Sequence, residues 1–159
     1  MINVEIKNLP AFDKDSLKSI SSELSTIISE RAETLFRESI ENVGAVATGD
    51  LLRSVTSEVL GESSGSLLLS VGSSNDAVNA IENGLPPGTN VNIDKLRVWM
   101  VARGLDAGNT QLVNSIANKI YTQGFEAKEP FAKAFNSSQF NDIMNTALDE
   151  VLNNAEWTK

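Results

Sequence analysis

A long run of evenly spaced apolar residues near the N-terminus limits most strongly how this chain can fold. Between residues 15 and 43, apolar side chains recur every third or fourth position, and mostly serine, glutamate, lysine and arginine lie between them. This spacing places the apolar residues along one side of an α-helix. The run ends at Gly44, and glycine commonly terminates helices. We therefore predict one helix of roughly 40 Å, since each residue adds about 1.5 Å.

The rest of the chain predicts strands first and helices afterwards. Residues 1–7 alternate apolar and polar positions, as a strand does. Residues 54–84 contain a β-hairpin with a five-residue turn at 61–65, followed by a third extended segment or a short helix. Residues 94–153 return to helical spacing, and 154–159 form a frayed tail. We predict a single α+β domain, a small mostly antiparallel β-sheet packed with a long N-terminal helix and C-terminal helices.

Three local features are expected to break or redirect the regular structure. Residues 85–93 contain the pair Pro86 and Pro87, which removes backbone donors, so this segment is predicted to be a mobile loop with a binding role. Thr48 and Gly49 form a structural turn in which threonine caps and glycine supplies an unusual φ. Pro130 begins the last helix, where a proline in the first turn is tolerated.

The composition disfavours an enzyme. The chain contains no histidine and no cysteine, so an imidazole base, a thiolate nucleophile and a zinc cluster built on these residues are excluded. Its 13 basic residues are outnumbered by 21 acidic residues, and the net charge of −8 disfavours binding to nucleic acid through phosphate contacts. No apolar run approaches the 18 or so residues of a membrane span. We expect no catalytic residues, no metal and no cofactor.

Four segments in the same order carry a resemblance to a known family. Residues 48–55 read TGDLLRSV, close to the family signature T-G-x-L-x-x-S-I. Residues 80–88 read AIENGLPPG, similar to a family segment in which a strand ends with v-x-E-x-G and a proline-bearing loop follows. Residues 116–124 and 129–135 read IANKIYTQG and EPFAKAF, similar to the last two helical motifs. Over residues 16–152 the chain resembles the HK97 gp10-like family of phage tail-completion and neck proteins. Arg53 falls one place later than the arginine of many relatives.

The resemblance implies a structural protein of a tailed bacteriophage virion, made in the host cytoplasm. It implies a homo-oligomeric ring at the head–tail junction, through which DNA passes without specific binding. The other partners would be neck, portal-adaptor or tail proteins, with no membrane involved. A tail-terminator ring is the main alternative, and a carboxylate-dependent enzyme or a regulatory binding module is a more distant one.

A set of residues is predicted to contact neighbouring subunits. The paired prolines stiffen their loop, which lowers the entropy lost on docking. Arg53 is expected to form an ion pair within or between subunits, and Trp99 to be a core residue or an interface anchor. The predicted interface residues are Arg53, Glu82, Leu85, Pro86, Pro87, Gly88, Thr89 and Trp99.

Overall fold

The computed structural model of the chain describes residues 2–6, 14–46, 48–63 and 66–154, with side chains described for 18–46, 48–61 and 68–154. The fold class is α+β, as predicted. The elements in chain order are β1 (Ile2–Ile6), α1 (Lys14–Asn42), α2 (Asp50–Arg53), β2 (Val55–Ser63), β3 (Ser66–Ser73), α3 (Ala77–Asn83), α4 (Ile93–Ala102), α5 (Thr110–Gln123), α6 (Pro130–Phe135) and α7 (Ser138–Asn154).

The chain forms two compact units, each assembled from separate stretches of sequence. Unit 1 comprises Met1–Ser39, Val55–Ser73 and Phe131–Lys159. Unit 2 comprises Ile40–Ser54 and Ser74–Pro130. The sequence prediction of a single domain stays a prediction.

Unit 1 contains a three-stranded antiparallel sheet in the order β1-β3-β2. Its hairpin differs from the sequence prediction, because β2 continues to Ser63, which pairs with Ser66, so a five-residue turn at 61–65 is wrong. The register shifts between Val59 and Gly61. A β-bulge of this kind absorbs an extra residue into a strand without ending it, which is why the glycine at 61 does not mark the turn.

Helix α1 supplies more of the core of unit 1 than any other element does, as its apolar spacing predicts. Leu24, Ile28 and Phe36 are completely buried. The ring of Phe36 lies 5.0 Å from that of Phe131 and 6.5 Å from that of Phe140, measured between centroids. These tilted and edge-on arrangements are the favourable ones for aromatic pairs. The sheet adds buried residues from its inner face, namely Val55, Leu69 and Val71.

The last helical stretch is two helices, where the sequence predicts one. Pro130 begins α6 as expected, but α6 ends at Phe135 and α7 begins at Ser138. Between them, the Ser137 hydroxyl donates to the Ala134 carbonyl at 2.6 Å and accepts the Phe140 amide at 3.2 Å. This serine closes one helix and caps the next, which apolar spacing alone does not reveal.

Unit 2 has a small core of its own between α4 and α5. Leu96 and Met100 of α4 pack with Val113 of α5. Asparagine side chains cap both helices: Asn92 accepts the Lys95 amide and Asn109 accepts the Leu112 amide, each at 3.0 Å. Residues 77–83 form α3, so the short-helix alternative is confirmed, and the strand end implied by the family motif at 80–84 is wrong.

Candidate functional site

Helix α4 exposes an unusual amount of apolar surface. Leu96 and Met100 face the core, but Val98 and Val101 on the other side are 58% and 67% exposed. Trp99 is 39% exposed, so it lies at the edge of the core. Ile93, in the first turn of α4, is 38% exposed as well. We call the exposed large apolar residues between positions 98 and 105 the α4 face: Val98, Trp99, Val101 and Leu105.

The pattern of α4 explains this exposure. A single buried stripe uses only every third or fourth residue of a helix. In α4, by contrast, consecutive residues from Val98 onward are apolar, so apolar side chains lie on all its sides. A helix that is apolar on every side normally lies in the interior of a protein or of an assembly. Exposed apolar patches rimmed by polar residues are typical of protein contact sites, and tryptophan is enriched among the residues that dominate binding energy. The α4 face can therefore bind another protein surface.

The segment of residues 85–89, here called the proline segment, is held against the end of α5. Leu85 and Phe125 exchange two backbone hydrogen bonds of 2.7 and 2.8 Å, forming an isolated antiparallel bridge. The Gly88 amide donates to the Tyr121 carbonyl at 2.6 Å. The Thr89 hydroxyl donates to the Pro86 carbonyl at 2.6 Å, which closes the turn. These backbone bonds fix Leu85 and Gly88 against the end of α5, while the predicted mobility of residues 85–93 stays a prediction.

Two glycines allow this close approach. Gly84 and Gly124 flank the bridge, and both adopt positive φ values, 72° and 78°. A Cβ atom at Gly124 would lie 2.4 Å from the Leu85 carbonyl oxygen, and one at Gly84 would lie 2.5 Å from the Phe125 carbonyl oxygen. Side chains cannot occupy such positions without displacing backbone. The glycines at the ends of α3 and α5 thus set the position of the proline segment.

The proline segment brings several predicted residues together with two aromatic residues. Pro86, Pro87 and Gly88 are exposed, while Leu85 and Thr89 are half-buried. Beside them, Tyr121 is 47% and Phe125 is 36% exposed. Glu82 is half-buried in the last turn of α3, just before Gly84. Proline and aromatic rings make a rigid surface, which loses little conformational entropy when it is covered.

The turn at residues 48–53 contains a compact polar cluster. Gly49 has a φ of 78° and precedes α2, as the sequence predicts of a residue with an unusual φ. The Thr48 hydroxyl donates to one oxygen of Asp50 at 2.5 Å, and the Arg53 guanidinium donates to the other at 2.5 Å. The Thr48 hydroxyl also accepts the Asp50 amide at 3.3 Å. The N-cap of α2 is Gly49, which has no side-chain hydrogen bond, so the prediction that threonine caps this helix is wrong.

These contacts determine the electrostatics of the turn. The hydrogen bond from Thr48 and then the one from Arg53 lower the pKa of Asp50 below its ordinary value. Arg53 therefore has an ion-pair partner within its own subunit, the first of the two roles expected of it. Its role between subunits stays a prediction. The pair is exposed, so its contribution to stability is small.

Sequence reasoning identified Trp99 and the proline segment but missed their exposed neighbours. Val98 and Val101 fall off the stripe of Leu96 and Met100, and this second apolar side of α4 was the available signal. Tyr121 has apolar neighbours at helical spacing in α5, which favour burial, yet it is exposed. Phe125 follows the helix end, where no periodicity exists to classify it.

Among the described residues, no group of three or more acidic side chains is arranged to hold a metal ion. Within the same residues, no helix combines the length and apolar character that crossing a bilayer requires. Comparison with family models, with curated proteins and with solved structures gave no match for this chain.

Proposed function

We propose that this protein is a structural component of a tailed bacteriophage, a subunit of a neck or tail-completion ring at the head–tail junction. The observation that carries the proposal is the α4 face, an apolar helix surface that a single chain leaves in water. Such a surface is expected to be covered when the protein performs its function. The four ordered motifs of the sequence support a phage ring as the assembly in which this happens.

The energetics favour self-association through this surface. Fully burying an exposed valine or leucine side chain contributes about 1.5–3 kcal/mol. The side chains of the α4 face are 39–67% exposed, so covering each of them contributes roughly half of that and offsets part of the entropy lost on association. The proline segment, with Tyr121 and Phe125, offers a second rigid surface on unit 2 for a neighbouring ring or an adjoining virion protein. Its backbone is already ordered, which reduces the entropy lost on binding.

A charge placed on the α4 face tests the proposal. Val101→Glu introduces a carboxylate that would have to lose its hydration on assembly. We expect this variant to fold normally but to be absent from particles made by the genome that encodes this chain, as measured by mass spectrometry of purified virions. Asn118→Glu is the matched control, since it adds the same charge at an exposed position of α5 and should leave incorporation unchanged.

Electron microscopy of the same particles locates the wild-type protein. We expect ring-shaped density between the head and the tail tube. Absence of the wild-type chain from purified particles, or normal incorporation of Val101→Glu, would overturn the proposal.

A further inference from the structure

Exposed apolar side chains are concentrated in unit 2. In the part of the chain whose side chains the structure describes, nine large apolar residues are exposed, and seven of them belong to unit 2. The other two, Val59 and Leu60, lie on strand β2 of unit 1. The seven are Ile93, Val98, Trp99, Val101, Leu105, Tyr121 and Phe125. Unit 2 therefore has the most apolar surface for a partner to cover.

These residues form two surfaces at opposite ends of α5. The α4 face leads, through Leu105, into the connection between α4 and the start of α5. The second surface, here called the proline surface, consists of the exposed residues Pro86, Pro87, Tyr121 and Phe125 at the end of α5. Helix α5 has 14 residues and is about 20 Å long at about 1.5 Å per residue. Two different neighbours can therefore contact the two surfaces at the same time.

The proline surface has the chemistry that an exposed tryptophan recognises. The Gly88 amide donates to the Tyr121 carbonyl at 2.6 Å, and Pro87 lies directly against Gly124, where a Cβ atom would be 3.1 Å from the proline Cδ. Proline-rich segments dock against aromatic side chains in recurring recognition modes, because a preformed backbone loses little entropy on binding. The α4 face offers such a side chain, Trp99, which is 39% exposed.

Net charge favours contact between two copies of unit 2. Unit 1 holds 13 acidic and 7 basic residues, which gives a net charge of −6, and unit 2 holds 8 and 6, which gives −2. Any contact that involves unit 1 of another copy is therefore opposed more strongly than contact of unit 2 with unit 2. Among the surfaces that the chain itself can supply, those of unit 2 are the least repelled partners for the α4 face.

We propose that the α4 face of one copy packs against the proline surface of the next copy, with Trp99 on Pro86 and Pro87. The inference rests on the proposed ring function and names the surfaces that join its subunits. Because the two surfaces differ, each subunit uses one of them toward each neighbour, and the ring can close. Contact of the α4 face with itself gives only a closed pair and leaves the proline surface in water.

Two neutral double variants each remove one surface. Val98→Gln/Val101→Gln makes the α4 face polar, and Tyr121→Gln/Phe125→Gln does the same to the proline surface. Neither variant changes the net charge, so a loss of association cannot come from altered repulsion. Sedimentation velocity and native mass spectrometry measure assembly, and circular dichroism confirms that each variant folds.

Val59→Gln/Leu60→Gln is the matched control, because it makes the same change at the two exposed apolar residues of unit 1. The wild-type chain and this control should form higher oligomers at protein concentrations up to about 1 mM, which detects even weak association. Each surface variant alone should associate at least about tenfold more weakly. Their equimolar mixture should form a one-to-one dimer and nothing larger, because one intact surface of each kind remains.

Several results of this experiment would overturn the inference. Self-association of Tyr121→Gln/Phe125→Gln would show that the α4 face meets its own copy. A mixture without a dimer, or a wild-type chain that stays monomeric at about 1 mM, would show that the two surfaces do not bind each other. Loss of assembly in the unit 1 control would place the contact outside unit 2.

Cysteine cross-linking places the contact independently, because the chain contains no cysteine of its own. Ala102 is exposed one turn after Val98 on α4, and Gln123 is exposed at the end of α5. A mixture of Ala102→Cys and Gln123→Cys should form a disulfide-linked heterodimer at least about tenfold faster than Ala102→Cys with Asn145→Cys, an exposed position on α7. Equal rates, or a faster reaction of Ala102→Cys with itself, would contradict the proposed contact.

Cross-linking in purified particles separates this inference from the proposed function. If the chain is present but Gln123→Cys links only to a different virion protein, the proline surface belongs to that protein and the contact between copies is wrong. The proposed function is then unaffected. Absence of the chain from particles would instead reject the proposed function itself.

Discussion

At the scale of single residues, the glycines do more than end helices. Gly104 and Gly124 have similar positive φ values, 69° and 78°, but their surroundings differ. Nothing lies within 4 Å of a Cβ atom at Gly104, whereas one at Gly124 meets the Leu85 carbonyl oxygen at 2.4 Å. Gly104 therefore meets a conformational requirement alone, and Gly124 meets both a conformational and a steric one.

This difference predicts unequal costs for the same substitution. Gly104→Ala should lower the free energy of unfolding by about 1 kcal/mol, the usual cost of a left-handed conformation for a residue with a Cβ. Gly124→Ala should lower it by about 3 kcal/mol, because the Leu85–Phe125 bridge must also open. Urea denaturation of the two variants measures both values. Equal losses would show that the bridge contributes nothing to stability.

At the scale of elements, one carboxylate ties helix α1 to strand β2. Glu33 Oε1 accepts the amide and the hydroxyl of Ser57 at 2.8 and 2.7 Å, and Oε2 accepts from Arg37 at 2.7 Å. Arg37 also donates to the Val55 carbonyl at 2.8 Å. These contacts satisfy backbone groups on the edge strand of the sheet, where unpaired groups favour aggregation.

The same contacts predict a pH dependence of stability. Burial by itself raises the pKa of Glu33, but the hydrogen bonds from Ser57 and Arg37 outweigh it, and the net pKa is lowered from the ordinary value of 4.5. The unfolded chain then binds the proton more tightly than the folded chain. The stabilisation is therefore present above about pH 4.5 and is lost as the pH falls through the folded-state pKa.

Replacement of this carboxylate isolates its contribution. Glu33→Gln should lower the free energy of unfolding by about 1 kcal/mol at pH 7, and the difference from wild type should shrink at acid pH. Denaturation curves collected from pH 7 to about pH 3 measure it. Glu23→Gln, an exposed position on the same helix, should differ little from wild type at every pH. A Glu33→Gln deficit that does not change with pH would contradict this assignment.

At the scale of the whole molecule, each unit has a core assembled from its own segments. The buried residues of α7, including Phe140, Ala147 and Val151, belong to unit 1. The core of unit 2 contains Leu96, Met100 and Val113, which lie between the second and third segments of unit 1. The two cores therefore depend on different parts of the chain.

A truncation after Phe135 should destabilise the core of unit 1 and leave the core of unit 2 folded. Without α7, unit 1 loses three buried side chains, each of which contributes on the order of 1 kcal/mol or more, and its sheet should lose protection against hydrogen exchange. The amides of α4 and α5 should remain protected, because the core of unit 2 is intact. Exchange measured by mass spectrometry on the full and truncated chains gives the comparison. Uniform loss of protection would show that the units do not fold separately.

Much of the secondary structure could be predicted from local pattern. The apolar spacing of α1 predicted its bounds to within one residue, and alternation predicted the strands, because helix and strand periods depend only on neighbouring residues. The end of α1 near Gly44 was readable for the same reason. The absence of histidine and cysteine needed no structure at all.

Other features depended on contacts between residues distant in the sequence, and only the tertiary structure decided them. The proline segment is ordered because Leu85 meets Phe125, forty positions later, and that pairing leaves no local trace. The exposure of Val98 and Val101 depends on which sides of α4 the rest of unit 2 covers. Periodicity establishes that a helix has apolar sides; which of them stay open to a partner depends on how the folded chain packs around it.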